Sequence, residues 1–527
     1  MNALLVLYAA GLSGQAAESL ANGKNSVQLA LERSRRFPSV GKTALLAGTE
    51  GDFPSGLEGI SVIRRPSWTV KETLETIAEE SAGFDLTYFA WADCPFLDPA
   101  LAEKLAERHL RYAAEYSYAD GWPYGLAPEL LSPGTAAILA KILGGESGGP
   151  VKRDSLFTVI QKDINAFDIE TEISPVDLRC HRLNLCADSK RNLLLLRRFL
   201  SGGENGEIPD TAAVERIVAE KPEILRTLPA FYPVQVYGGC PQSCAICPWP
   251  QASAVPVTER RDCMEAGRFE SLLDKITAFS GDAVIDLSLW GEISLHPQKM
   301  ELAEMVLRRP ELALVMETSG VGWKESELER CAELAQKAAS APRASPLPPL
   351  SWIVSLDSAD PARYREIRGA GFAEANGCAK KLLSLFPADA YVQAVRTAGA
   401  EDDIERFYRS WKEAAPGPEN VIIQKYDDFC GMLPRRQASD LSPVERPPCW
   451  HLMRDMPVLL DGTVPLCREQ IAVQNNAAGA AILGNAFTEP LDLIWERGRE
   501  QYAGQAGAAK KYDSLCAGCD EYYTYNF

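Results

Sequence analysis

The 527-residue sequence is short of positive charge, with 54 Lys and Arg against 72 Asp and Glu and a formal net charge of −18. That balance disfavours non-specific binding to nucleic acid or an anionic membrane surface, and suits a small, neutral or basic substrate. No apolar run approaches the length of a membrane span. The apolar stretch from Ala3 to Ala10 lacks the basic flank of a secretory signal, the first lysine being Lys24. It is expected to be a buried first strand, followed by the turn Gly11-Leu12-Ser13-Gly14. Basic residues are also missing from Gly11 to Leu20, so this loop could not neutralise a triphosphate. A disulfide framework is absent too. Seven of the 14 cysteines cluster at 240–247 and 449–519, as metal ligands in a reducing compartment do, and cytoplasm is the expected location.

What is present is organised around the stretch from Val234 to Pro248. Cys240, Cys244 and Cys247 fall within eight residues of a loop that opens where an alternating strand is expected to end. Three thiolates so placed can converge on one soft metal centre. A disulfide uses two. A zinc knuckle is the alternative, but zinc sites usually close with four ligands and no partner pair lies nearby.

The length suggests about three domains. Residues 1–200 alternate strand-like and helix-like stretches, with Ala44 to Leu46, Ser61 to Ile63 and Leu86 to Ala92 as strands, in the manner of an α/β layer domain. A Gly-rich break from Ser201 to Gly206 and a helix-like Ala212 to Leu225 form a linker over 201–229. Strands are expected near Val234 to Tyr237, Ala283 to Leu289, Leu312 to Met316, Trp352 to Leu356, Tyr391 to Val395 and Val421 to Gln424. Six strand–helix units over 230–430 make a partial parallel barrel with its chemistry at the carboxyl ends of the strands. Ala339 to Leu350 reads as an inserted loop. The region 431–527 carries Cys449, Cys467, Cys516 and Cys519, with Asp461-Gly462 as the turn of a hairpin joining Met456 to Leu460 and Thr463 to Leu466. On spacing alone, paired half-sites of this kind also suit a zinc ribbon. Cys430 is a stray ligand or a substrate-side thiol; His296 is a proton donor or a structural histidine. Cys94, Cys180, Cys186, Cys263, Cys331 and Cys378 read as small buried hydrophobes.

The Cys-x3-Cys-x2-Cys loop resembles the signature of the radical S-adenosylmethionine enzymes. The resemblance implies that these thiolates hold a 4Fe-4S cluster whose open iron chelates S-adenosylmethionine, which is cleaved to a 5'-deoxyadenosyl radical. Behind the loop, Leu289-Trp290-Gly291-Glu292 looks like the family's Gly-Gly-Glu motif, which implies that Gly291 and Glu292 meet the methionine ammonium. Glu317-Thr318-Ser319-Gly320 ends the third strand, with Ser319 a further cofactor contact. Ser355-Leu356-Asp357 and the segment Tyr364 to Gly369 resemble the family's Ser-x-Asp and Arg-Gly segments, so Ser355, Asp357 and Arg368 are expected around the ribose and the methionine carboxylate. Guanidinium suits a carboxylate because it donates two parallel hydrogen bonds.

The tail resembles the SPASM extension in its shorter twitch form, which implies one auxiliary 4Fe-4S cluster on Cys449, Cys467, Cys516 and Cys519. The front resembles the nucleotidyltransferase-like, GT-A-like fold of cytidylyltransferases. Tyr88 to Pro99, Pro123 to Leu131 and Leu185 to Asp188 carry that likeness, which implies that Asp93 and Asp188 share a magnesium ion. Since its first loop lacks the family's basic residues, this domain is expected to bind or scaffold. The whole chain is similar to the spirochaete-type fusion called spiro-SPASM. Expected, then, is an α/β protein with a nucleotidyltransferase-like domain, a partial (β/α)6 radical SAM barrel and a small cluster-binding domain. It would act on a peptide or protein with electrons from a flavodoxin or ferredoxin. A nucleotide-linked sugar or envelope glycan is the alternative substrate, and a nucleotidyltransferase with a regulatory iron–sulfur domain the alternative activity.

Overall fold

The computed structural model describes residues 1–49, 59–202, 207–471, 481–507 and 510–524. The chain divides into two compact units, Met1–Thr227 and Leu228–Phe527. Most of the expected Gly-rich break, residues 203–206, lies outside the described residues.

The first unit is built on a seven-stranded sheet. Its order is Ile60–Arg64, Val40–Ala47, Ala3–Tyr8, Leu86–Trp91, Glu129–Leu131, Tyr116–Asp120 and Ile169–Ile173. The first four run parallel, and Glu129–Leu131 runs antiparallel to both its neighbours. Ala3–Tyr8 and Leu86–Trp91 are buried at every position, which is why each reads as an unbroken apolar run: a central strand covered on both faces has no polar side. The stretch that could pass for a secretory signal is therefore the middle of a sheet. After Leu86–Trp91 the chain turns at Asp93 into the helix Pro99–Arg111, started by Pro99 and capped by the Asp98 carboxylate on Ala100 N at 2.9 Å.

The second unit holds a six-stranded sheet in chain order, Phe231–Pro233, Ala283–Asp286, Leu312–Thr318, Leu350–Ser355, Ala390–Arg396 and Val421–Lys425, with every pair parallel. Helices Ala266–Ser280, Lys299–Leu307, Glu325–Ala339, Phe372–Leu385 and Glu401–Ala414 fall between successive strands. Successive parallel neighbours joined by helices put all the strands' carboxyl ends on one rim. Residues 340–349 are the connection expected before the fourth strand.

Two expectations need correction. The first strand is Phe231–Pro233, not Val234 to Tyr237. Val234 N still bonds Asp286 O at 2.7 Å, but Gln235 N turns to Val458 O at 2.9 Å, so the chain leaves the ladder there. The tail hairpin is also different. Thr463–Pro465 pairs with Ile482–Asn485, while Met456 N bonds Phe231 O and Val458 N bonds Pro233 O, at 2.9 and 2.8 Å. The segment expected as the other hairpin arm thus lies parallel to the first barrel strand, and covers an edge that would otherwise expose unpaired backbone. The Asp461-Gly462 turn itself is present, with Thr463 N on Asp461 Oδ1 at 2.9 Å.

Candidate active site

At the rim of the six-stranded sheet lies an open cavity of about 250 Å3, onto which Cys240, Cys244 and Cys247 all face. Behind the loop, Trp249, Ala252, Val257 and Ile471 form an apolar cluster against which Cys240, Cys247 and Trp290 pack. Backbone bonds fix the loop's ends: Cys240 N to Val257 O at 3.0 Å, and Ala245 N to Ile367 O at 2.8 Å. Gly291 is required by crowding, since a Cβ there would lie 1.8 Å from Tyr237 O. Trp290 precedes it in the left-handed region, with φ 48°.

Gly291, Glu292, Ser319, Ser355 and Arg368 line the same cavity as the three cysteines, so the structure brings together side chains read from five separate stretches of sequence. Glu292 is buried, and its carboxylate accepts from Thr318 Oγ1 at 2.6 Å, Ser319 N at 2.7 Å and Ser294 N at 3.2 Å. It fixes Ser319 in place as much as it offers charge to a ligand. Asp357 stands behind Arg368, accepting its Nε at 2.5 Å, while its other oxygen takes Val395 N at 2.8 Å. Arg368 Nη1 also reaches Gln242 Oε1 at 3.3 Å. Despite burial, the facing Asp357 and neighbouring Cys244 raise the guanidinium's pKa, so Arg368 is a permanent cation in the wall. Ser355 Oγ donates to Glu317 at 2.7 Å, and Gln393 Nε2 reaches the same oxygen at 2.9 Å.

The sequence reading passed over Asp286, Gln393, Lys425, Asp427, Phe429 and Arg468, all of which line this cavity. Three of them, Asp286, Lys425 and Asp427, end or follow barrel strands, and a polar residue at that position is the available signal. Burial, reinforced by Glu317, pushes Asp286 up to about 7 against the hydrogen bonds from Ser288. A carboxyl so placed can hold or release a proton near neutrality. His296 is buried, bonds Met264 O at 3.1 Å through Nε2 and accepts Gln298 N through Nδ1; both ring nitrogens serve the fold.

The tail cysteines meet around a second, small cavity, lined by Cys449, Cys467, Cys516 and Cys519 and by Cys430 as well. Cys449 directly precedes the helix Trp450–Arg454, and Asp513 Oδ1 accepts Cys516 N at 2.7 Å. His451 lines this cavity too. Its Nδ1 is held by Asp455 at 2.6 Å, while its buried Nε2 has no hydrogen-bond partner among the described residues. A ligand-bearing group in the cavity would supply one. Among the described residues, neither cysteine set brings three sulfurs within 4.8 Å of one another. One tetrahedral zinc, with sulfur at about 2.3 Å, would require that. The thiols around the tail cavity and the unpartnered His451 Nε2 are donors that a metal centre would take.

In the first unit the structure does bring Asp93 and Asp188 together, but around a side chain. Arg153 donates to both oxygens of Asp93, at 3.1 and 2.6 Å, and to Asp188 Oδ2 at 3.2 Å. Asn184 and Asn192 fill the remaining room on Asp188, at 3.1 and 2.7 Å. Trp91 and Tyr124 lie against the guanidinium at 4.7 and 5.3 Å. Every carboxylate oxygen has a donor and a fixed cation stands between them, so these residues as arranged do not fit the magnesium ion that the resemblance implied.

No protein-family model matches the sequence. A protein of Treponema pallidum (strain Nichols), described as uncharacterized, is 36% identical over 380 residues, covering 71% of this chain and 98% of its own. The chain belongs to the same family as that treponemal protein. Among solved structures, Streptococcus suis SuiB bound to precursor peptide SuiA aligns at TM-score 0.40 and 14% identity, over 63% of this chain and 75% of that one. A cytidylyltransferase from Leptospira borgpetersenii aligns at TM-score 0.35 and 16% identity, over 43% of this chain and 97% of that one. Among the described residues no helix of this family member is long and apolar enough to cross a membrane.

Proposed function

We propose that this protein is a radical S-adenosylmethionine enzyme that modifies a peptide or protein by hydrogen abstraction. One observation carries the reading: the three loop cysteines share a cavity at the strand ends with Arg368, Glu292, Ser319 and Ser355. Three thiolates leave one iron of a four-iron cluster without a protein ligand, and when bound this cluster supplies the electron that cleaves the sulfonium. The chain's own residues would bind and orient. Arg368, held by Asp357 and Gln242, offers a fixed cation to a carboxylate. Ser319, positioned by Glu292, and Ser355, tied to Glu317, present hydroxyls along the same wall. Asp286, Lys425, Asp427 and Arg468 add a polar lining to the same cavity, suited to a polar backbone substrate. Asp286, with its pKa near neutrality, is the group placed to take a proton from a substrate radical that loses an electron.

The tail cysteines would hold one auxiliary 4Fe-4S cluster, able to accept that electron. A flavodoxin or ferredoxin would supply the first one. The front unit we read as a binding or scaffolding module, because Arg153 already neutralises the acidic pair on which metal-dependent nucleotidyl transfer would depend. The test is anaerobic reconstitution with iron and sulfide, followed by measurement of 5'-deoxyadenosine formed from S-adenosylmethionine under reduction. Formation of 5'-deoxyadenosine supports the reading, and none at full iron loading refutes it.

A further inference from the structure

A four-iron cluster has four corners, yet the tail cavity is ringed by five thiols. The fifth, Cys430, comes from the turn 427–431 that follows the last barrel strand. Phe429 N bonds Asp427 Oδ1 at 2.7 Å and Gly431 N bonds Asp428 Oδ1 at 3.0 Å, which closes the turn. Phe429 and Cys430 both sit in the left-handed region, at φ 52° and 57°, where residues bearing a Cβ seldom rest. The conformation lets one turn serve two cavities. Phe429 lines the loop-cysteine cavity with its ring 5.5 Å from that of Trp290, and Cys430 lines the tail cavity together with Cys519, whose sulfur is its neighbour there. Cys519 in turn accepts Glu521 N at 3.4 Å.

We propose that Cys430 is a fifth thiol ligand of the tail site, sharing one corner with Cys519, so that either sulfur completes the cluster. The inference rests on the reading that the tail holds a cluster. Exchange forms one iron–sulfur bond as another breaks, and the proton shed by the entering thiol goes to the leaving thiolate. No oxidation state changes. Cys449, Cys467 and Cys516 would each hold a corner of their own. The exchangeable corner lies on the turn that also carries Phe429 into the S-adenosylmethionine cavity, so ligand identity at one site is mechanically tied to a wall of the other.

The full chain decides this through metal content. Iron and acid-labile sulfide are measured after anaerobic reconstitution of the unaltered protein, Cys430→Ala, Cys519→Ala, Cys519→Ser, the Cys430→Ala/Cys519→Ala pair, and Cys516→Ala. Both single replacements at the shared corner should keep the unaltered protein's load of about eight irons, while the pair and Cys516→Ala should fall to about four, under the ligand count used here. If Cys519→Ala and Cys519→Ser each lose as much iron as Cys516→Ala, the shared corner is refuted. An unaltered protein with about four irons and one zinc would refute the tail cluster instead; zinc retained in both singles and lost in the pair would still establish the shared corner, and zinc lost in Cys519→Ala would overturn it. Native alkylation of the loaded, unaltered chain gives a reading that needs no variant. Label divided between Cys430 and Cys519, summing to about one per chain for five thiols on four corners, supports sharing; label on Cys430 alone contradicts it.

Discussion

Arg153 grips Asp93 with both terminal nitrogens, at 3.1 and 2.6 Å, and the pair is roofed by Trp91 and Tyr124. Asp93 is buried, so its charge is tolerable only because this partner is present. Burial alone would pull the guanidinium's pKa down, and the facing acid groups reverse that. Removing one member of a buried pair strands the other, at a cost of roughly 3–5 kcal/mol. Arg153→Ala should therefore lower the unfolding temperature of the first unit markedly, and Arg153→Lys should only partly restore it because one ammonium cannot match a bidentate carboxylate. Calorimetry of the full chain reads both. Millimolar magnesium should leave the unaltered protein's transition where it was, since a bound ion would raise it by mass action. A magnesium-dependent rise would restore the metal reading of Asp93 and Asp188.

A second expectation concerns Arg368, whose Nε rests on Asp357. If its guanidinium receives the methionine carboxylate, Arg368→Ala should remove charge-assisted bonds contributing on the order of 1.5–3 kcal/mol, weakening S-adenosylmethionine binding about tenfold or more. Asp357→Asn should give a smaller loss by letting the guanidinium drift. Iron content should be unchanged in both, which separates a ligand effect from loss of the cluster. Equilibrium binding on reconstituted protein measures it, and unchanged affinity in Arg368→Ala would remove that residue from the cofactor site.

His109 makes a pH prediction for the first unit. It is buried between Ser117 Oγ at 2.8 Å and Ser132 Oγ at 3.0 Å, and burial lowers its pKa from 6.5 to about 4. A depressed folded-state value means the unfolded chain binds the proton first. The contribution is thus fully present above pH 6.5 and is lost as pH falls toward 4, by up to about 3 kcal/mol. Hydrogen exchange of residues 99–131, corrected for intrinsic rates, should show protection falling over that window. His109→Gln should flatten the dependence, whereas an unchanged slope in that variant would place its origin elsewhere.

How much of this was legible in the sequence depended on whether the signal was local. Ala3 to Tyr8 announces a central strand because both its faces are apolar. The strands ending at Asp286, Thr318 and Ser355 announce themselves by largely apolar runs that stop at polar residues. The cysteine loop could be read because its ligands are close in sequence. The partner of Asp93 could not: Arg153 is 60 residues away and only the fold brings it there. The first strand is displaced by one strand-length from its expected place because Val234 to Tyr237 alternates as a strand should, yet after Val234 its hydrogen bonds go to Val458 and to residues 263–264 and not to the barrel ladder. Met456 to Leu460 failed for the same reason, since a turn fixes a reversal without fixing which strand the arm pairs with. Cys430 carried no spacing signal, and its tie to Cys519 exists only across the folded tail.

The central claim is that the loop Cys240-x3-Cys244-x2-Cys247 makes the radical, and one comparison tests it most directly. The unaltered chain and the variant with all three of these cysteines replaced by alanine are reconstituted anaerobically, reduced, and supplied with S-adenosylmethionine, and 5'-deoxyadenosine is quantified alongside iron. The account predicts steady 5'-deoxyadenosine formation by the unaltered protein at about eight irons per chain, and none by the variant at about four, the remainder being held by the tail. Cleavage that persists in the triple variant, or a variant that keeps its full iron load, would contradict it.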